Sequence, residues 1–197
     1  TTMFNVLGRV YRADEGRVMF DGHDLLSMPA HAIAAIGVAR TFQNLALWPG
    51  MTVIENVMVG AHTHSKQNFL SAAFRIGTRT EERRLEADAW EILTELDLAD
   101  VAHHPAAGLP FGTMKRIELA RALAAEPRLL LLDEPANGLT HSEVDELADL
   151  ITSLRERRSL TVLLVEHHMA LVMGISEKVV VMNFGTKIAE GTPGEIQ

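Results

Sequence analysis

Arg128-Leu129-Leu130-Leu131-Leu132-Asp133-Glu134-Pro135 is the stretch on which the reading of this chain turns. The leucines form the short apolar run expected of a strand buried on both faces. Two carboxylates follow where that strand would leave its sheet. In open α/β sheets, ligands bind beyond the carboxyl ends of the strands. Asp133 at that point can reach a Mg²⁺ ion, directly or through water, because magnesium takes hard oxygen ligands and keeps several waters. Glu134, one residue on, points elsewhere and could polarise a water for attack on a phosphate. Pro135 lacks an N–H and ends the strand. The competing reading is a core strand followed by a solvated acidic turn. The neighbouring segments decide between them.

Downstream, Ser142 to Arg157 is amphipathic and predicts a helix, with Ser142 and Asp145 as its capping pair. Leu160 to Val165 reads as a second buried strand and Met169 to Gly174 as a short helix. Lys178 to Asn183 and Lys187 to Glu190 read as two strands joined around Phe184-Gly185-Thr186, a hairpin signal. This alternation of strand and helix argues for a parallel α/β sheet.

Upstream, Thr113 to Glu126 predicts a helix with Ile117, Ala120, Arg121 and Ala124 near one face. Asp97 to Gly108 reads as a short helix and a loop. Thr80 to Leu96 reads as a long charged helix whose buried stripe is Trp90, Leu93 and Leu96. Residues 64–79 form a polar, glycine-containing connector. Thr52 to His62 has helical spacing of its apolar residues. Pro29 to Ile36 reads as a short helix capped by Ser27 and closed by Gly37. Gly16 to Gly22 and Val38 to Phe42 read as strands, the second running into Gln43. Residues 1–10 read as part of a helix. The expected organisation is an α/β core over 1–63 and 127–197, interrupted by a helical subdomain over 64–126.

Composition narrows the function. The 197 residues suffice for one domain or a domain with a subdomain. At 47% apolar the chain can bury a real core. A net charge of −8 disfavours a nucleic-acid partner. With no cysteine there is neither a disulfide frame nor a thiolate metal site. No apolar run is long enough to span a membrane. The histidines beyond His167 show no metal-ligand spacing.

Several ordered pieces share one resemblance: Thr1-Thr2, Arg40-Thr41-Phe42-Gln43-Asn44, Leu109-Pro110-Phe111-Gly112, Leu132-Asp133-Glu134-Pro135 and Val165-Glu166-His167. Together they resemble the ATP-binding subunit of ABC transporters, most closely the branched-chain amino acid uptake group. The resemblance covers essentially the whole chain. It implies a P-loop NTPase-type, mainly parallel sheet with an inserted helical subdomain, and ATP and Mg²⁺ as ligands.

By this resemblance, Thr1 is a Mg²⁺-ligating hydroxyl and Thr2 a phosphate contact. Gln43 is the mobile glutamine that ligands Mg²⁺ or orients water, and Asp133 is the third metal ligand. Glu134 is the general base, and His167 the switch histidine that holds the γ-phosphate and the attacking water. Leu109, Pro110, Phe111, Gly112 and Thr113 occupy the signature position, which meets the ATP of the opposite subunit. Asn137 and Gly138 lie in the loop that links two sites across a dimer. Thr113 departs from the family pattern, where glutamine is usual, and His168 replaces a residue that is often acidic.

The implied partners are a second ATP-binding subunit and transmembrane permease subunits, with no nucleic acid. The implied place is cytoplasmic, peripheral on the inner face of the cell membrane. An apolar loop at Leu45, Leu47 and Trp48 reads either as a docking surface for a permease helix or as packed under the helical insert. Other cargoes (urea or lipopolysaccharide) and a non-hydrolysing regulatory module remain alternatives. A phosphate loop ending in lysine is expected upstream of Thr1. Residues 1–197 on their own are therefore expected to bind nucleotide poorly and not to hydrolyse it.

Overall fold

The computed structural model describes residues 2–41, 45–61 and 78–197 of the chain. Along it, α1 (Thr2–Leu7) precedes the two-residue strands β1 (Met19–Phe20) and β2 (His23–Asp24), then α2 (Ala30–Ile33), β3 (Val38–Arg40) and α3 (Val53–Gly60). Next come α4 (Thr78–Glu95), α5 (Phe111–Leu123), β4 (Leu129–Asp133), α6 (His141–Arg158) and β5 (Thr161–Val165). The chain ends with α7 (Met169–Ile175), β6 (Val179–Asn183), β7 (Thr186–Gly191) and α8 (Pro193–Ile196).

The leucine run is the central strand. β3, β4 and β5 are parallel in that spatial order. Leu130, Leu131 and Leu132 are each 1% exposed. Successive side chains of a strand point to opposite faces, and the leucines alternate accordingly. Leu130 and Leu132 enter the larger apolar cluster with α5 and α6, while Leu131 joins Phe4, Leu7, Leu25, Ile33 and Val38 on the other face. Because the strands are parallel, Arg40, Asp133 and Val165 all end on the same side, with Asp133 opposite Val165.

β5 differs from its expected burial. Thr161 is exposed and residues 162–165 are half-buried. Among the described residues its only ladder partner is β4, so one of its edges carries no neighbouring strand. The C-terminal hairpin forms as read, around Phe184 and Gly185, both with positive φ (46° and 83°). That pair of angles is what a two-residue turn between right-twisted strands requires.

The helices α3, α4 and α5 share the larger apolar cluster with β4 and α6. The buried stripe of α4 is Ala89, Ile92 and Leu93, continued by Leu96 just beyond it. Trp90 is not part of it: the residue is 42% exposed and stacks on His103 at 5.7 Å between ring centroids. The helical spacing of Trp90 and Leu93 put both on one side, but Ala89 and Ile92 centre the stripe a turn edge away. Glu95 of α4 accepts hydrogen bonds from Arg158 of α6, with Nε at 2.8 Å.

Helix starts follow one device that the serine-based reading missed. Thr52 with Glu55, Thr140 with Glu143 and Thr192 with Glu195 each form a capping box. Thr140, not Ser142, therefore caps α6, because its extended backbone lets its hydroxyl accept from the Glu143 N–H. Ser27 likewise does not cap α2; its hydroxyl donates to the Asp24 carbonyl at 2.8 Å, and Pro29 stands at the cap position.

These boxes set a pH dependence. Glu55, Glu143 and Glu195 are held below the usual carboxyl value, first by the backbone N–H of their threonine and then by its hydroxyl. On the hairpin, hydrogen bonds from Lys178 and then Lys187 lower Glu190 to about 2. A folded pKa below the unfolded one means that the unfolded chain binds more protons in the interval, so stability rises with pH there. The contribution is complete above about 4.5 and is lost as pH falls from there through about 2. Thermal melts should show Tm falling as pH drops from about 5 to about 3. The fall should be shallower in Lys187→Ala, and a flat Tm across that interval would contradict these assignments.

Candidate functional site

The site is built where the parallel strands end. Asp133 closes β4 with its side chain fully buried, and Arg40 at the end of β3 donates from its Nη2 to Asp133 Oδ2 at 2.7 Å. The other end of the same guanidinium donates to Asn5 Oδ1 of α1 at 2.7 Å and stacks over the Phe4 ring. α1, β3 and β4 are thus joined at one guanidinium. Asp133 offers the hard oxygen that magnesium prefers, set at a strand end. On that chemistry the donor fits the implied metal.

Glu134 follows with φ +49°, in the left-handed region that side chains other than glycine and asparagine rarely adopt. Its N–H donates to the Val165 carbonyl of β5 at 2.9 Å, and its carbonyl accepts from the Asn137 N–H at 3.1 Å. The chain therefore leaves β4 in a tight turn still tied to the neighbouring strand. The turn runs through Pro135 and Ala136 into Asn137 and Gly138, which are exposed.

The end of β5 carries Glu166 and His167. His167 is exposed, with 73% of its side chain open, while the Glu166 side chain beside it is 1% exposed. Glu166 Oε1 accepts from the Ala136 N–H at 2.8 Å, and Oε2 accepts from the N–H groups of His167 and His168 at 2.9 and 3.2 Å. His168 stands at the cap of α7, its Nδ1 accepting from the Leu171 N–H. The cap role belongs to His168 and leaves the His167 ring facing outward.

The Leu109 to Thr113 segment meets this turn from the other side. Pro110 precedes the first turn of α5, and the Phe111 ring lies against Gly138. A Cβ on Gly138, whose φ is +83°, would come within 2.9 Å of that ring. A Cβ on Gly112 would come within 2.7 Å of Glu143 Oε1. Gly138 is favoured both by its backbone and by the Phe111 ring, whereas at Gly112 the close atom is the tip of the Glu143 side chain, which can move. A helix N-terminus presents free N–H groups and a positive dipole to anions.

The structure thus brings Asp133, Glu134, Asn137, Gly138, His167, Phe111 and Gly112 into one continuous region. Thr2 opens α1 and is exposed. Thr1, Phe42, Gln43 and Asn44 lie outside the described residues. Of the loop beyond Gln43, Trp48 is 44% exposed, whereas Leu45 and Leu47 are half-buried and Leu47 packs against the larger core cluster. Of the two readings of this loop, Trp48 fits the docking surface and Leu47 the packed one. The buried Asn56 pins this loop, accepting from the Trp48 N–H at 2.8 Å and donating to its carbonyl at 3.1 Å. Arg121 of α5 donates to the Ala46 carbonyl, stacks 5.4 Å over Trp48 and lies 3.9 Å from Glu118. Burial lowers the Arg121 pKa from its ordinary value, and the Glu118 carboxylate opposes that.

Arg40, Arg121 and Glu166 were given no role in the sequence reading. A signal existed for each: a charge placed directly after a strand, or inside an otherwise apolar helix face, needs a partner to be buried.

Comparison with known proteins gives the site its context. A family model described as ABC transporter matches residues 1–137. The chain is 43% identical to the high-affinity branched-chain amino acid transport ATP-binding protein BraF of Pseudomonas aeruginosa, over all of this chain and 78% of that protein. It is 40% identical to the corresponding LivG protein of Escherichia coli K12, with the same coverage. Similarity falls to 32% with the lipopolysaccharide export system ATP-binding protein LptB of Haemophilus influenzae, over all of this chain and 75% of that protein. Among solved structures, the ADP conformation of an ATP-binding cassette of an ABC transporter superimposes with a TM-score of 0.82 at 30% identity, covering 97% of this chain and 74% of that one.

Proposed function

We propose, from the premise that this chain belongs to the ABC transporter family of ATP-binding proteins, that it hydrolyses ATP to drive import of branched-chain amino acids. The observation that carries the chemistry is the side-by-side ending of β4 and β5, which sets Asp133, Glu134, Glu166 and His167 at one edge. The higher identity to BraF and LivG than to LptB favours a branched-chain amino acid cargo over lipopolysaccharide.

In this reading Glu134 accepts a proton from the attacking water, and His167 holds that water and the γ-phosphate from the adjoining strand end. Asp133, with Thr1 and Gln43, holds Mg²⁺, which when bound neutralises charge on the phosphate oxygens. Thr2 contacts the nucleotide phosphates. Leu109 to Thr113, at the start of α5, meets the nucleotide of a second subunit, and Asn137 and Gly138 lie between the two sites. Catalysis rests on positioning and fixed charge rather than covalent chemistry.

Two such subunits would pair face to face and sit against permease subunits at the cytoplasmic side of the membrane. No helix among the described residues is long and apolar enough to cross a membrane. Trp48 is the proposed permease contact, being exposed and backed by Arg121. The test is uptake of leucine, isoleucine and valine into vesicles holding the full-length protein with its permease. Uptake should require ATP and stop with Glu134→Gln. Failure of all three amino acids to enter would rule out the cargo. Trp48→Glu should lower uptake about ten-fold, as loss of an aromatic anchor does, while detergent-free ATP binding by the subunit persists. Full transport by that variant would remove Trp48 from the contact.

A further inference from the structure

We infer that Glu166 is a positioning residue, the buried carboxylate that locks the switch histidine and the loop after Glu134 into a single unit. The inference rests on the hydrolytic reading above and assigns a role to a residue that reading does not use. Glu166 is a charged side chain with 1% of its surface exposed, beside the exposed His167. Burying a carboxylate is costly unless hydrogen bonds compensate it. Here the compensation comes from three backbone N–H groups, on two segments that are separate in sequence.

One oxygen takes the Ala136 N–H from the turn that follows Glu134 and Pro135. The other takes the N–H groups of His167 and His168. Hydrogen bonds to an ionised acceptor are about twice as strong as neutral ones. A carboxylate is acceptor-only, so both oxygens suit N–H donors at once. A neutral glutamine of the same shape has one oxygen and one NH₂ group, so it must turn a donor toward one of the two segments. Either Ala136 or the histidine pair then faces a repelling N–H.

The geometry has a functional consequence. Glu134 and Ala136 lie on the same turn, and His167 is adjacent to Glu166 itself. The backbone on which the proposed base sits and the backbone that carries the γ-phosphate contact are therefore fixed relative to each other through one side chain, in addition to the bond from the Glu134 N–H to the Val165 carbonyl. That also extends to Gly138, whose position against Phe111 depends on the same turn. Glu166 touches neither water nor phosphate in this scheme and acts only by aiming residues that do.

The test uses the full-length subunit in its ATPase-competent assembly. Glu166→Gln should reduce kcat about ten-fold or more with KM for ATP within about two-fold, because displacement by an ångström can cost up to about 10²-fold. In a His167→Ala background the same change should cost less than about two-fold, because coupled residues are not additive. Amide exchange at Ala136 and at His167 should rise in Glu166→Gln. In the unsubstituted protein the N–H groups of Ala136, His167 and His168, corrected for intrinsic rates, should open together, a measurement that stands even if the variant does not fold. An inert Glu166→Gln beside a crippled His167→Ala overturns the inference alone. Additive losses, or independent opening of the three amides, overturn it too. An inert His167→Ala overturns both the inference and the role proposed for His167.

Discussion

Glu134→Gln is expected to cut ATP turnover by about 10²–10⁴-fold, the usual yield of general-base catalysis, while nucleotide binding stays within a few-fold of the unsubstituted protein. The substitution keeps size and shape and removes the oxygen basicity. The turn is held by the Glu134 N–H on the Val165 carbonyl, the Asn137 N–H on the Glu134 carbonyl and the Ala136 N–H on the Glu166 carboxylate. None of these depends on the Glu134 carboxylate, and the left-handed backbone at 134 is no worse for glutamine than for glutamate. A loss of turnover therefore reads as lost chemistry rather than lost structure. Single-turnover hydrolysis and a titration of Mg-ATP, run on the same full-length preparation, separate the two. Turnover within a few-fold of the unsubstituted protein would remove Glu134 from the role of base.

Gly60→Ala should destabilise the fold by about 3 kcal/mol or more, the upper end of what overpacking costs. Gly60 ends α3 where that helix crosses α5. An ideal Cβ there would stand 1.9 Å from the Arg121 carbonyl oxygen and 2.8 Å from its carbon. Both are backbone atoms in the last turn of α5, which cannot swing aside as a side-chain tip would. The two helices must separate, and the apolar neighbours Val53, Val57, Ile117 and Ala120, all fully buried, would lose contact with them. Denaturant unfolding should show a lower midpoint with an unchanged slope. A midpoint equal to that of the unsubstituted protein would mean that the crossing is looser than described. The effect should extend to Trp48, because Arg121 carries that loop as well as the crossing.

What was legible in the sequence follows from how local each signal is. The Leu129 to Leu132 run, the Phe184-Gly185 turn and Gly37 as a left-handed helix stop are each determined by residues within a few positions, and the structure has all three. Asp133 and Glu134 could be placed at a strand end for the same reason. The helix caps were legible in principle, since Thr-x-x-Glu occurs at three helix starts, but Ser142 and Asp145 compete with Thr140 and Glu143 within the same few residues. Trp90 meets solvent against its reading, and Leu47 takes the packed alternative of the two open to its loop. Hydrophobicity alone does not tell which side of a helix or loop meets the core, and His103 and the larger apolar cluster settle that only in three dimensions.

The polar connections of the site were not legible. Arg40 reaches Asp133 across 93 positions and Arg121 reaches Ala46 across 75. Glu166 reaches Ala136 across 30. No periodicity reports such pairs. The only trace is a charged residue in an apolar setting, which says that a partner exists without saying where it is.

The left-handed backbone at Glu134 has a consequence for how this chain can change over evolutionary time. A residue with a Cβ gives up about 1–2 kcal/mol in that conformation relative to the right-handed one, and glycine gives up almost none. Selection for heat tolerance alone would therefore drift position 134 toward glycine, and, on the role proposed for Glu134, selection for turnover would pull it back to a carboxylate. The two demands meet at one residue. Thermal robustness in this chain has to be gained elsewhere, at sites such as the hairpin and the helix caps, while the end of β4 stays strained.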